Sequence, residues 1–329
     1  MSRVQPATAG GPVTFEVRSV AGPDGVAIAY RVSAPVGATS GSAPTLFLVH
    51  GWAQNSGSWN AGLLDDLAQR HRIVAVDLRG HGASGLPPVD PDAAGAGYTA
   101  DLLAGDVEAV LAAESSSATS AFDAPAVGDA GVVAVGWSYG GLVICDVLSR
   151  RATAGVTGPA IVGVGLVGAI TSLGRGERGG RVGDAMRAAL PDAYADDPRT
   201  AIRALSSFGA ALVPADRSDL GAQSQYFFGA SLMTAPSARA GLFARAVSHD
   251  DLLRSLRMPV LVLHGTDDTV VDVSAAHHAA SMLSDGDVHL DLWDGAGHAP
   301  FVEDPTRFAA ALDGLVSRSA AASVSEAVR

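Results

Sequence analysis

No lysine occurs anywhere in this 329-residue sequence; all 22 basic side chains are arginine. That absence excludes a completed P-loop, which needs a lysine ammonium on the nucleotide phosphates. It also excludes Schiff-base chemistry and pyridoxal phosphate anchoring, which need an amine side chain. Cysteine is nearly missing too: Cys145 alone permits no internal disulfide and no cysteine-built zinc site. It stands among Leu142, Val143, Ile144 and Val147 and reads as core packing. Positive charge is scarce beside negative. The net charge of −12 opposes a surface that tracks phosphates, so no nucleic-acid partner is expected. Long apolar runs are lacking: residues 160–170, the most apolar stretch, are too few and too rich in glycine to span a bilayer, and no membrane partner is expected. The residues from Met1 to Pro6 lack a charged start followed by an apolar run, so a signal peptide is not expected and a cytoplasmic location is.

What is present is an alternation of short apolar runs with helical patterns. Residues 13–20 and 26–34 read as strands of a hairpin turning at Pro23-Asp24-Gly25. Thr45 to Val49 is wholly apolar after its first residue, as a strand buried on both faces would be. Further strands are expected at 72–78, 131–136, 161–167, 259–263 and 288–293, with helices at 61–69, 98–113 and 300–316 and a frayed tail after 316. Residues 35–44 and 114–130 read as loops. Such alternation implies an α/β fold, a mostly parallel central sheet covered by helices on both faces. Residues 171–256 break the rhythm. They carry no convincing strand but show helical pieces at 183–190, 199–211 and 236–246, and are expected to form a helical cap inserted into a core made of residues 1–170 and 257–329.

Gly136-Trp137-Ser138-Tyr139-Gly140 lies where the apolar run Val132 to Val135 gives way to the helical run Leu142 to Leu148. A strand entering a helix through one sharp turn leaves no room beside the turn, which the two glycines relieve, and the serine at its apex is driven outward. Serine alone is a poor nucleophile. It needs a general base, and the base needs a carboxylate to hold its tautomer. Of nine histidines, His298 follows the last expected strand through Gly295-Ala296-Gly297, at the carboxyl end of the sheet where Ser138 also stands. Asp267 and Asp268 follow another strand at the same end. Both cannot point at one imidazole; Asp268 is chosen, with capping of a helix starting near Val273 as the other use of either carboxylate. The backbone N–H groups of Trp52, after the strand ending at Val49, and of Tyr139 are the expected oxyanion donors. His50 is expected to brace its loop.

On these segments, His50-Gly51-Trp52, Asp77-Leu78-Arg79-Gly80-His81-Gly82-Ala83-Ser84, the turn around Ser138, Gly265-Thr266-Asp267-Asp268 and Gly297-His298, the chain resembles the α/β-hydrolase superfamily over nearly its whole length. Within it, the chain is most similar to the capped serine esterases grouped with cofactor-free haloperoxidases and perhydrolases. The family's acid usually lies three residues after the glycine of that fourth segment, which favours Asp268. Tyr139 stands where haloperoxidases often have methionine, and Ala53 where they often have proline. Serine at 138 is unlike the aspartate of epoxide hydrolases and haloalkane dehalogenases. The resemblance implies hydrolysis of a small or medium carboxylic ester, thioester or lactone through an acyl-enzyme, with a small-molecule substrate and no cofactor or metal. Alternatives on the same residues are C–C bond hydrolysis, peroxyacid formation, aminopeptidase activity or ligand capture by a receptor. Oligomeric state is not legible.

Four further signals are set aside. Gly174-Arg175-Gly176-Glu177-Arg178-Gly179 matches G-x-G-x-x-G but opens no clear helix and carries a glutamate that would repel pyrophosphate. His277 and His278 point about 100° apart on a helix and cannot chelate together, so both read as helix surface. Glu303 and Asp304 are expected to favour the first turns of the last helix. Arg175, Arg178, Arg181 and Arg187 read as a solvated basic surface.

Overall fold

The computed structural model describes residues 13–33, 43–59, 61–88, 93, 95–116, 130–154, 158–190, 192–195, 197–283 and 285–327. Among these residues ten strands form: β1 (Glu16–Ala21), β2 (Ala27–Ser33), β3 (Thr45–Val49), β4 (Ile73–Val76), β5 (Val132–Trp137), β6 (Ile161–Val167), β7 (Ser172–Leu173), β8 (Val247–Ser248), β9 (Val260–Gly265) and β10 (Val288–Trp293). The α-helices are α1 (Ala61–Ala68), α2 (Ala100–Ser116), α3 (Tyr139–Ala154), α4 (Asp184–Ala189), α5 (Pro198–Ala211), α6 (Gly221–Met233), α7 (Pro236–Phe243), α8 (Asp250–Ser255), α9 (Ser274–Met282), α10 (Pro300–Glu303) and α11 (Pro305–Ala327).

Eight strands make one sheet in the order β1-β2-β4-β3-β5-β6-β9-β10. From β4 to β10 every pairing is parallel; β2 alone runs against its neighbours. The expected α/β class is therefore the observed one. The strands β3, β4, β5 and β9 are buried along their whole length, because helices cover both faces and leave no solvated side. Parallel strands end at one edge of the sheet, so the loops after β3, β5, β6, β9 and β10 all emerge there. Those loops carry Trp52, Ser138, Gly168, Asp268 and His298.

Four local expectations are corrected. The closing helix is two helices, because Pro305 has no N–H to continue α10; Asp304 caps α11 by accepting a bond from the Arg307 amide at 2.9 Å. The tail beyond 316 is helical to Ala327. Its Ser319 is buried and reaches Gly163 of β6, so packing on the sheet holds what composition left unspecified. Residues 114–116 end α2, while 117–129 of the expected loop, 35–42 of the other and residue 34 of the expected strand lie outside the described residues. Between β6 and β9 the chain forms α4 to α8, including α6 and α8, which its spacing did not reveal. It also forms a two-residue ribbon, Ser172–Leu173 antiparallel to Val247–Ser248, where no strand was expected.

Candidate active site

At the end of β5 the chain turns through Ser138, whose φ is 56°. A non-glycine residue there carries about 1–3 kcal/mol of strain and persists only where its surroundings enforce it. Enforcement comes from both sides. The Ser138 amide donates to Val167 O at 2.9 Å, and the Ser138 carbonyl accepts from Gly141 N at 3.1 Å and Ile170 N at 3.2 Å. A Cβ at 140 would lie 2.2 Å from Val49 O, and one at 136 would lie 2.5 Å from the Gly140 carbonyl. Only glycine lets the strand, the turn and α3 approach this closely.

The loop after β3 meets the same point. A Cβ on Gly51 would stand 2.9 Å from the Ser138 Cβ, so Gly51-Trp52 runs directly beside the serine. Ala53 has a φ of 54°, a second strained non-glycine residue, in this loop. His50 Nδ1 lies 2.7 Å from Gly51 O, and the Leu78 amide donates to His50 Nε2 at 3.0 Å, so the ring ties the loop after β3 to the loop after β4. Burial holds His50 below its ordinary pKa, which suits this neutral, one-donor one-acceptor use. The Trp52 indole donates to Arg239 O at 2.9 Å and packs edge-on against Phe208 and Phe243.

His298 arrives through a loop that is fixed at several atoms. Gly297 N donates to Glu303 Oε1 at 2.9 Å, Gly295 N to Thr266 Oγ1 at 2.8 Å, and Asp267 N to Ala296 O at 3.0 Å. Glu303 thus holds the loop rather than serving the start of α11. Trp137, the residue before Ser138, donates its indole N–H to His298 O at 2.9 Å, and its ring lies 5.5 Å from the imidazole. His298 Nδ1 stands 2.7 Å from Asp268 Oδ2.

Asp268 is buried with both oxygens engaged. Oδ1 accepts from the Val270 amide at 2.8 Å and the Val271 amide at 3.0 Å; Oδ2 faces His298 and also His264 Nε2, at 3.1 Å. Burial alone would raise its pKa, but the two imidazoles outweigh that and hold the carboxyl well below the usual carboxylate range. His264 is opposed in the same way: burial lowers its pKa, Asp268 raises it, and the net direction is up. The Asp267 carboxylate is exposed and accepts from Thr266 Oγ1 at 3.3 Å, and Asp272 rather than Asp267 or Asp268 accepts from the Ser274 amide at the start of α9.

The structure thus joins Asp268 to His298, sets His298 against the residue preceding Ser138, and runs the Trp52 loop beside Ser138. His264, directly after the expected strand 259–263, was given no role from the sequence; the signal available was its i, i+4 spacing to Asp268. It also placed His278 on the helix surface, whereas His278 is buried and faces Asp250 at 2.9 Å, since α9 packs against α8. Among the described residues no group of three or more candidate metal ligands occurs. No helix among them is long and apolar enough to cross a membrane.

A narrow pocket opens at Ser138. Its other lining residues include Trp52, Tyr139, Met186, Phe208 and Phe243, and none is charged.

Comparison with known proteins agrees with this architecture. The family described as the alpha/beta hydrolase family matches residues 46–311. An esterase of known structure from Rhodococcus sp. ECU1013 is 48% identical, with 92% of this chain and 98% of that one covered and a TM-score of 0.77. A pimeloyl-[acyl-carrier protein] methyl ester esterase of Methylococcus capsulatus is 30% identical over 285 residues, 85% of this chain and 98% of its own. A bromoperoxidase of Bacillus anthracis shares the fold at 19% identity, with a TM-score of 0.69 over 92% of this chain and all of that one.

Proposed function

We propose, from the premise that this chain belongs to the alpha/beta hydrolase family, that it cleaves a small or medium carboxylic ester, thioester or lactone through an acyl-enzyme on Ser138. The observation that carries the reading is a strained serine in the wall of an uncharged pocket, one residue from the indole that holds His298 and its Asp268 partner. The activities of the Rhodococcus esterase and the Methylococcus methyl ester esterase, to which the chain is similar, support it.

In the proposed mechanism His298 is neutral and its Nδ1–H donates to Asp268, leaving the Nε2 lone pair for the Ser138 proton. The oxygen of Ser138 bonds to the carbonyl carbon, and the displaced electron pair goes to the carbonyl oxygen, held by the amides of Trp52 and Tyr139. The imidazolium then protonates the leaving oxygen or sulfur as its bond to carbon breaks. Water then gives a proton to the same nitrogen as its oxygen bonds to the acyl carbon; the carbon–oxygen bond to Ser138 breaks, His298 returns the proton to the Ser138 oxygen, and the acid leaves. Residues 171–256 act as the cap that supplies Met186, Phe208 and Phe243 to the pocket. An apolar lining rewards uncharged, compact ester groups and leaves a charged one desolvated without a partner.

Ser138→Ala is expected to lower kcat by about 10⁴-fold or more on p-nitrophenyl butyrate and to abolish labelling by a fluorophosphonate, with circular dichroism unchanged. Turnover retained in that variant would overturn the assignment.

A further inference from the structure

Seven residues beyond Tyr139, on the same face of α3 because seven residues nearly complete two helical turns, lies Asp146. Its carboxylate is fully buried inside the protein, between α3 and the chain that returns from α7 to β9. One oxygen, Oδ1, takes two partners: Arg245 Nη2 at 2.7 Å and His249 Nε2 at 2.9 Å. Oδ2 has no hydrogen-bond partner among the described residues. Arg245 and His249 flank β8, whose backbone pairs with β7, so this short return strand is gripped on one side by a ribbon and on the other by a single carboxylate. The same arginine also reaches Tyr139, donating through Nη1 to the phenol oxygen at 3.3 Å, while the phenol donates to Leu242 O at 2.7 Å. Burial pushes the Tyr139 phenol upward, so it remains a donor.

This cluster borders the pocket. Tyr139 is in the pocket wall, and so is Phe243, which lies two residues before Arg245. The two rings meet edge-on at 6.0 Å. Phe243 also contacts Trp52, whose amide is the other proposed oxyanion donor. Any slip of Arg245 along α3 moves Phe243 relative to both. A buried ion pair is a weak source of net stability against an apolar replacement, and its best-attested use is to specify one register.

We propose that Asp146, Arg245 and His249 are positioning residues that hold residues 242–249 in register with α3 and thereby set the width of the apolar pocket, and with it the length of ester group the site accepts. The proposal rests on Ser138 being the nucleophile. Tyr139 is the link between the cluster and the reacting centre, because its side chain joins the cluster while its amide faces the oxyanion.

The test compares full-length wild type with Asp146→Asn, Arg245→Lys, His249→Gln and Tyr139→Phe on two ester series. One varies the acid, p-nitrophenyl acetate to octanoate; the other varies the alcohol, methyl to octyl acetate. The kcat/KM ratio of longest to shortest ester should change in one series by about tenfold or more in Asp146→Asn, since a few methylenes of altered fit carry that much discrimination. The change should arise chiefly in KM, and Arg245→Lys, which keeps a cation facing Asp146, should move the ratio less than Asp146→Asn does. Glu114→Gln is the control. It breaks the buried Arg18, Arg72 and Tyr30 cluster at the antiparallel edge of the sheet and should lower stability without moving either ratio. Ratios unchanged within twofold in all four cluster variants, or moved equally by Glu114→Gln, would overturn the proposal. Hydrogen exchange of the amides of residues 242–249, faster in Asp146→Asn than in wild type, is expected whichever ester is the substrate, and unchanged exchange there would also overturn it. Wild type that turns over no ester counts against the ester-hydrolase reading instead, so the two failures are distinguishable.

Discussion

Two buried aspartates carry opposite arrangements of partners. Asp268, at the top of the sheet, spends one oxygen on two backbone amides and the other on two imidazoles. Asp146, at the seam between α3 and the returning helical segment, places an arginine and an imidazole on one oxygen and leaves the other bare. Imidazoles can take up and release protons near neutral pH, whereas a guanidinium does not. The first arrangement therefore suits proton transfer and the second suits holding two segments together. Asp268 is also fixed by backbone of its own turn, which makes it rigid without help from distant chain. Asp146 depends on residues about a hundred positions later, so its geometry exists only once the helical segment has docked.

This contrast can be broken by substitution. The largest kinetic effect is expected for Asp268→Asn, which leaves the size of the group unchanged but removes the charge opposite His298: kcat should fall by about 10³–10⁴-fold, read in steady-state kinetics. Asp146→Asn should act chiefly on stability. It strands the Arg245 charge in the interior, and urea denaturation should show a loss of about 3–5 kcal/mol, with kcat on the best ester changed far less than by Asp268→Asn. Equal kinetic losses in the two variants would erase the distinction. His264→Phe sharpens it: removing one of the two imidazoles on Asp268 should lower kcat by about 10–100-fold, the kinetic equivalent of the ~1.5–3 kcal/mol in a hydrogen bond to a charged group.

Smaller effects follow at the rim of the site. Burial holds His81 at a pKa of about 3, against an ordinary value of 6.5. The unfolded chain thus takes up a proton below pH 6.5 that the folded chain refuses until about pH 3. The stability tied to this neutral ring is complete above pH 6.5 and is lost as pH falls below it, at about 1.4 kcal/mol per pH unit. His81→Gln should flatten that part of the slope between pH 7 and 5 in urea titrations; an unchanged slope would mean that the ring is charged in the fold. Asp267→Asn, on the exposed neighbour of Asp268, should change kcat by less than about twofold.

The difference between the aspartates also explains which parts of the molecule are legible in the sequence. Ser138, Asp268 and His298 each follow a strand and are marked by glycines that tight turns require, so local pattern locates their loops. Of the two neighbouring aspartates, Asp268 lies buried against His298 and Asp267 lies in solvent. Asp146, Arg245 and His249 have no such marks. Asp146 sits in an apolar helix as any solvated residue would, and its partners are separated from it by the whole helical segment. The α6 helix and the β7–β8 ribbon escape for a related reason: α6 buries only part of a mixed face, and a two-residue strand has no periodicity to detect. Asp304 and Glu303 share a local pattern as helix-start residues, yet only Asp304 caps α11, because Pro305 divides the two.

By itself the sequence determined the alternation of buried strands and helices, and with it the parallel sheet and the shared edge from which the reactive loops emerge. Apolar period, glycine and proline act over a few residues and need no distant partner. Only the tertiary structure decided which charged groups lost water together: the pairing of His264 with Asp268, the burial of His278, and the grip of one carboxylate on Arg245 and His249. Desolvation is a property of the assembled neighbourhood, and no local pattern of residues specifies it.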